Sequence, residues 1–193
     1  MEKTEIYDLP ISVHLDFKTG AYEPYRTFQE RRLSDLAQMF YDQVTVKKLV
    51  ATENPLIYDI RYHPFITSAS DMALGVTRIL PGKIGDEYHM TKGHFHESLD
   101  QPEIYFCVHG EGFLLMETAE GDFQVAPWSP GTITHIPPNY AHRVVNTGKD
   151  VLFFVASYHI SAGHTYDLVT QRGFSQVVVE REGRPVFIDN PRR

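Results

Sequence analysis

Beyond Asn54-Pro55 the chain is a succession of short apolar or alternating runs, each stopped within a few residues by glycine, proline or asparagine. Runs of this length suit strands rather than helices. They predict strands over residues 56–62, 73–80, 104–108, 112–117, 123–126, 132–136, 142–146 and 151–158. The turns between them fall at Pro81-Gly82, Gly110, Gly121, Pro130-Gly131, Pro137-Pro138-Asn139 and Thr147-Gly148. Many short strands at this spacing form an antiparallel sandwich or barrel and exclude a doubly wound parallel sheet.

Two further runs, 176–180 and 186–188 around Glu182-Gly183-Arg184, read as an edge hairpin. Upstream, Thr27 and Glu30 have capping-box spacing, and Leu33, Leu36, Ala37 and Phe40 follow at helical intervals. That predicts one short amphipathic helix near the N-terminus. A chain of 193 residues that is 42% hydrophobic can bury one substantial core. The expected organisation is a single domain over 1–193: an extension with the helix (1–55), a strand-rich core (56–160) and C-terminal strands (161–193).

A net charge of -7 with scattered Lys and Arg offers no basic stripe for a polyphosphate backbone, so nucleic acid is not expected as a partner. No run approaches the roughly 18 apolar residues of a spanning helix, so no membrane is expected either. The opening MEKTEIYDLP carries acids and a proline before any apolar run, and a cytoplasmic protein is the expectation. Cys107 is the one cysteine, which excludes an intrachain disulfide and suits a small buried apolar position.

Of the ten histidines, His14, His63, His89, His109, His135 and His159 read as surface or hydrogen-bonded residues. His94 and His96 are different, because residues i and i+2 of an extended chain project from one face. Glu103 opens a later run whose Glu103, Tyr105 and Cys107 share a face, so its carboxylate can join the imidazoles from a neighbouring strand. His142, after Pro137-Pro138-Asn139, supplies the third imidazole from a distant strand whose next inward positions are Val144 and Asn146. Three imidazoles and one carboxylate suit Fe(II), Mn, Ni, Co or Zn and leave positions open for a substrate. One divalent ion per subunit, Fe(II) favoured, is the expected cofactor.

These residues resemble the cupins, whose motifs run H-x-H to E-x6-G and P-x-G-x2-H-x3-N. Glu103 with Gly110 and Pro137 with His142 and Asn146 match, while Asn139 stands where the second motif has glycine. Asparagine is the non-glycine residue best suited to a positive-φ turn. Pro81-Gly82-Lys83, Thr91-Lys92-Gly93-His94-Phe95-His96, Ala141-His142-Arg143, Ala162-Gly163-His164 and Asp189-Asn190-Pro191-Arg192 are similar to the cupin-type glucose-6-phosphate isomerases known mainly from archaea. The resemblance implies a cupin double-stranded β-helix, or jelly-roll barrel, and interconversion of glucose 6-phosphate and fructose 6-phosphate.

On that resemblance Glu103 is the candidate base, and Tyr158 and His164 line the substrate cavity and complete the catalytic set. Thr77, Thr91, the Gly93 amide, Tyr105 and Tyr158 are the expected donors to the substrate's phosphate. Lys92 and Arg143 flank ligands and are expected to alternate outward. A homodimer is expected, through N-terminal strands or the C-terminal hairpin. Two other activities use the same ligand set: an Fe(II) dioxygenase, and a cupin that binds a sugar without turning it over.

Overall fold

The computed structural model describes residues 12–62 and 70–193; MEKTEIYDLP and His63 lie outside the described residues. Strands β1 (His14–Leu15) and β2 (Tyr22–Glu23) pair as a hairpin. Next come β3 (Thr27–Arg32), a 3-10 turn over Leu33–Leu36, and α1 (Gln43–Thr52). The chain continues through β4 (Leu56–Tyr62), β5 (Met72–Ile79), β6 (Lys83–Ile84), β7 (Glu87–Tyr88) and β8 (Glu103–His109). It then forms β9 (Gly112–Thr118), β10 (Phe123–Trp128), β11 (Ile133–Ile136), β12 (Tyr140–Asn146) and β13 (Leu152–His159). It ends in α2 (Asp167–Arg172), β14 (Gln176–Arg181) and β15 (Arg184–Asp189).

The mainly β fold with a short N-terminal helix is as expected, but the helix is not where the pattern put it. Thr27 to Arg32 pair with β4 as a strand, and the spacing of Leu33 and Leu36 belongs to the 3-10 turn. An i, i+3 apolar pair is shared by both helix types, so the buried Leu33, Leu36 and Phe40 do not distinguish them. The capping contact that exists joins Asp35 Oδ2 to the Arg32 amide at 2.8 Å. The α-helix is α1, where Asp42 Oδ1 accepts from the Thr45 amide at 3.0 Å. Its β-branched Val44-Thr45-Val46 start has weak helix propensity, which hid it in the sequence.

From Glu103 to His159 the chain is an antiparallel ribbon folded back on itself. β9 pairs with β12 inside the outer pair of β8 with β13, and β10 and β11 flank β9 and β8. The inner pair lies in one sheet and the outer pair in the other, so the ribbon winds as the double-stranded β-helix of cupins. One sheet has the order β11-β8-β13-β5-β4-β3. Facing it are β10-β9-β12 and β15-β14-β7-β6, joined where Met90 bridges Val145 and His94 bridges His142.

Among the described residues no ladder closes the two sheets into a barrel, and side chains join them. Trp128 of β10 lies edge-on to Tyr105 and Phe154 across the gap, with centroids 6.0 and 5.3 Å apart. Val144 and Asn146 point inward as expected. Asn146 Nδ2 donates to the Ile79 and Asp150 carbonyls, both at 2.9 Å, and so ties β12 to the opposite sheet. Asn139 has φ 70°, the left-handed turn its place in the motif requires. The tail forms the hairpin β14–β15 around Glu182 and Gly183, both at positive φ. Among the described residues no helix is long and apolar enough to cross a membrane.

Candidate active site

The register of the six-stranded sheet assembles one wall of the site. Along one inward row, Tyr105, Ala156, Gly75, Tyr62 and Thr27 lie side by side from β8 to β3. The row on one side of it carries Glu103 opposite Tyr158, and the row on the other carries Phe154, Thr77 and Ile60. Side chains two apart on a strand share a face, so Glu103, Tyr105, Tyr158 and Thr77 arrive together although they are distant in sequence. A Cβ on Gly75 would lie 3.2 Å from the Tyr62 ring, so glycine there makes room for that ring.

The opposite wall carries the imidazoles. His94 and His142 exchange both backbone hydrogen bonds, at 3.3 and 3.1 Å, so they are direct partners with side chains on one face. Their rings are 4.3 Å apart, and His96 lies 5.3 Å from His142. Nitrogens from His94, His96 and His142 and an oxygen from Glu103 all lie within 4.8 Å of one another.

The polar geometry suits a cation. His96 Nδ1 is 2.8 Å from the Gln101 carbonyl and His142 Nδ1 is 3.3 Å from the Tyr140 carbonyl. A carbonyl only accepts, so in both rings Nδ1 carries a proton and Nε2 faces inward, where it can act as a ligand when it carries no second proton. Glu103 Oε2 nevertheless lies 3.2 Å from His96 Nε2 and 3.0 Å from His142 Nε2. The His142 contact lacks hydrogen-bond geometry, and the Nε2 atoms of His94 and His142 are buried without partners. Lone pairs that converge on a carboxylate repel unless a proton or a metal ion lies between them.

Electrostatics favour the ligand forms at His94 and Glu103. Burial holds His94 well below the usual imidazole range, and His142, His164 and His96 act in the same sense, so it is neutral. Burial opposes ionisation of Glu103, but His142 and His96 outweigh it and hold the carboxyl below its ordinary value. Burial likewise opposes charge on His96, where the Glu103 carboxylate and the Gln101 carbonyl prevail and raise it. Tyr158 and Tyr105 are pushed up by burial and Tyr62 to about 12, so all three remain hydroxyl donors near neutrality.

A cavity opens from His94 and Glu103 between the sheets. Thr77, Thr91, Gly93, Tyr105, Tyr158 and His164 all line it. The His164 ring lies 4.4 Å from that of His94 and 5.5 Å from that of Tyr158. Gly93 has φ +75°, and a Cβ there would press on Phe174 at 3.0 Å and the His142 carbonyl at 3.2 Å.

Lys92 does not point outward: it stands two residues before His94, so alternation itself puts it on the His94 face, and it lines the cavity. Arg143 does turn away from the His94 and His142 rings, yet it is 2% exposed. Its Nη2 donates to the Lys92 carbonyl at 2.8 Å, and its guanidinium lies 4.7 Å from the Phe174 ring centroid. It braces the His94 segment against β12 from behind. Sequence reading passed over Tyr58, Ile60 and Tyr62, whose alternation on β4 could have marked an inner face, and Tyr166, for which no local signal exists.

The sequence profile of the glucose-6-phosphate isomerase (GPI) family matches residues 30–190. A glucose-6-phosphate isomerase of Thermococcus litoralis is 40% identical over 96% of this chain and 97% of its own. One from Pyrococcus horikoshii is 38% identical over 97% and 98%. A putative glucose-6-phosphate isomerase 1 of Rhizobium meliloti is 33% identical over 97% and 89%. The oxalate decarboxylase structure from Bacillus subtilis overlaps 56% of this chain and 27% of its own at 17% identity and TM-score 0.46, too little to bear on chemistry. Matched over nearly its whole length by relatives named for one isomerisation, the chain belongs to the glucose-6-phosphate isomerase family.

Proposed function

We propose that this chain interconverts glucose 6-phosphate and fructose 6-phosphate in glycolysis and gluconeogenesis. It does so with one divalent metal, Fe(II) favoured, held by His94, His96, Glu103 and His142. The observation that carries this reading is the set of inward imidazole nitrogens, two of them buried without a partner, meeting a buried carboxylate at the end of a hydroxyl-lined cavity. Family membership supports the substrate. When bound, the ion supplies Lewis acidity toward the oxygens at C1 and C2 of the open-chain sugar.

Glu103 moves the proton. Its Oε2 faces the imidazoles, which leaves Oε1 to take the proton from C2 of the aldose and return it to C1 through a cis-enediol. His164, held below its ordinary value by burial, is neutral and accepts the anomeric hydroxyl proton as the ring opens. Tyr158 donates to the ring oxygen. Thr77, Thr91, the Gly93 amide and Tyr105 supply hydrogen bonds to the phosphate, and the single Tyr158 hydroxyl joins them once the ring is open. A direct hydride shift from C2 to C1 needs no base and is the competing route.

The protein works as a cytoplasmic homodimer in this reading, with β1 to β3 or the β14–β15 hairpin at the interface. The decisive experiment strips the protein with chelator, reloads it metal by metal and assays both directions of isomerisation. Activity restored by a divalent ion, Fe(II) foremost, is expected. No isomerisation with any metal refutes the reading, and oxygen uptake instead would identify a dioxygenase.

A further inference from the structure

The cavity widens toward β3 into a mouth that shares Tyr62, Tyr158, His164 and Tyr166 with the inner chamber. Thr27, Gln29 and Arg31 of β3 alternate onto this face, opposite Tyr62, Ile60 and Tyr58 of β4. Arg31 Nη2 donates to Gln29 Oε1 at 2.8 Å, which orients the guanidinium. Among the described residues no carboxylate lies within ion-pair distance of Arg31, although Glu97 lines the same mouth. On the inner side, Lys92 Nζ lies 4.3 Å from the Tyr166 ring centroid. The Arg31 charge reaches Tyr58, Tyr62 and Tyr166, opposing in each the upward push that burial imposes.

We propose that Arg31, oriented by Gln29 on β3, draws the phosphate end of the substrate through the mouth, with Lys92 the second cation on the way in. A net charge of -7 opposes the approach of a dianion, so a half-buried cation at the mouth sets both approach and orientation. A guanidinium is suited to this because its planar fork meets two phosphate oxygens at once. The inference rests on the sugar-phosphate reading of the same cavity.

Arg31→Gln in the metal-loaded full chain tests it. The expected result is a fall in kcat/KM for glucose 6-phosphate of about tenfold, carried mainly by KM, with a flatter dependence on ionic strength. Arg31→Lys should recover part of the loss. Arg32→Gln makes the same charge change on the outward face of the same strand and should leave kcat/KM and its salt slope unchanged. Calorimetry with inorganic phosphate, read without turnover, should show weaker binding in Arg31→Gln. Wild-type kcat/KM, salt slope and phosphate affinity in that variant overturn the inference. Weakened phosphate binding in Arg31→Gln alongside a wild type that turns over no sugar phosphate would refute the isomerase reading and uphold Arg31 as the anion-capturing residue.

Discussion

Replacing Glu103 by Gln isolates proton transfer from metal binding, because the carboxamide keeps the volume and one oxygen facing the imidazoles. Glu103 Oε2 lies 3.2 and 3.0 Å from His96 and His142 Nε2, and an amide oxygen in its place still serves as a ligand. What disappears is the charge and the acceptor for the C2 proton. Loss of a positioned base lowers turnover by about 10²–10⁴. At about 1.36 kcal/mol per decade, that is a barrier raised by about 3–5 kcal/mol. The assay is initial rate at saturating metal, with metal content measured on the same sample. A parallel reaction in tritiated water reads exchange at C1. The expected outcome is near-stoichiometric metal, turnover down at least a hundredfold, and solvent label at C1 with the wild type. Activity within about threefold of wild type at full occupancy, with no label at C1, would refute the base and favour the hydride shift.

His142→Ala should lower metal affinity at least about a hundredfold while the far-UV circular dichroism stays that of the wild type. The ring is lost, but the backbone of residue 142 still pairs with β9 and with His94; metal retained at wild-type affinity would remove His142 as a ligand. Glu87 is 1% exposed, and burial raises its carboxyl to about 7 from 4.5. A raised folded-state value gives stability that is fully present below pH 4.5 and lost as pH climbs through 7. Glu87→Gln keeps an acceptor for the Tyr41 amide, so its free energy of unfolding should exceed that of wild type at pH 8 but not at pH 4, by at most about 3 kcal/mol; a variant less stable at pH 8 contradicts this. Sedimentation should give twice the 22.2 kDa of the chain, and a stable monomer at micromolar concentration would rule out the dimer.

Much of the strand inventory was legible because alternation is local. Residues 56–62 were read as β4 with the bounds the structure has, and the eight strands expected between residues 56 and 158 correspond to β4, β5 and β8 to β13. That His94 and His96 would meet was legible for a related reason: an i, i+2 histidine pair shares a face whatever the rest of the chain does. Two features misled. Helical spacing at Leu33 and Leu36 was a 3-10 turn after an edge strand, and Lys92, expected outward, lies two residues before His94 and so shares its face.

The amino-acid sequence by itself determined where the chain extends, where it turns, and which side chains of one strand share a face, because those depend on residues a few positions apart. Only the tertiary structure decided which strands are neighbours. The cross-strand register brings Tyr62 of β4 into the row of Tyr105, the ribbon sets His142 directly opposite His94, and α2 follows a loop that carries His164 and Tyr166 to the cavity. The edge position of β3, which aims Arg31 at the mouth, has no local signal, because the backbone hydrogen bonds that hold it come from a strand 24 or more residues further along the chain.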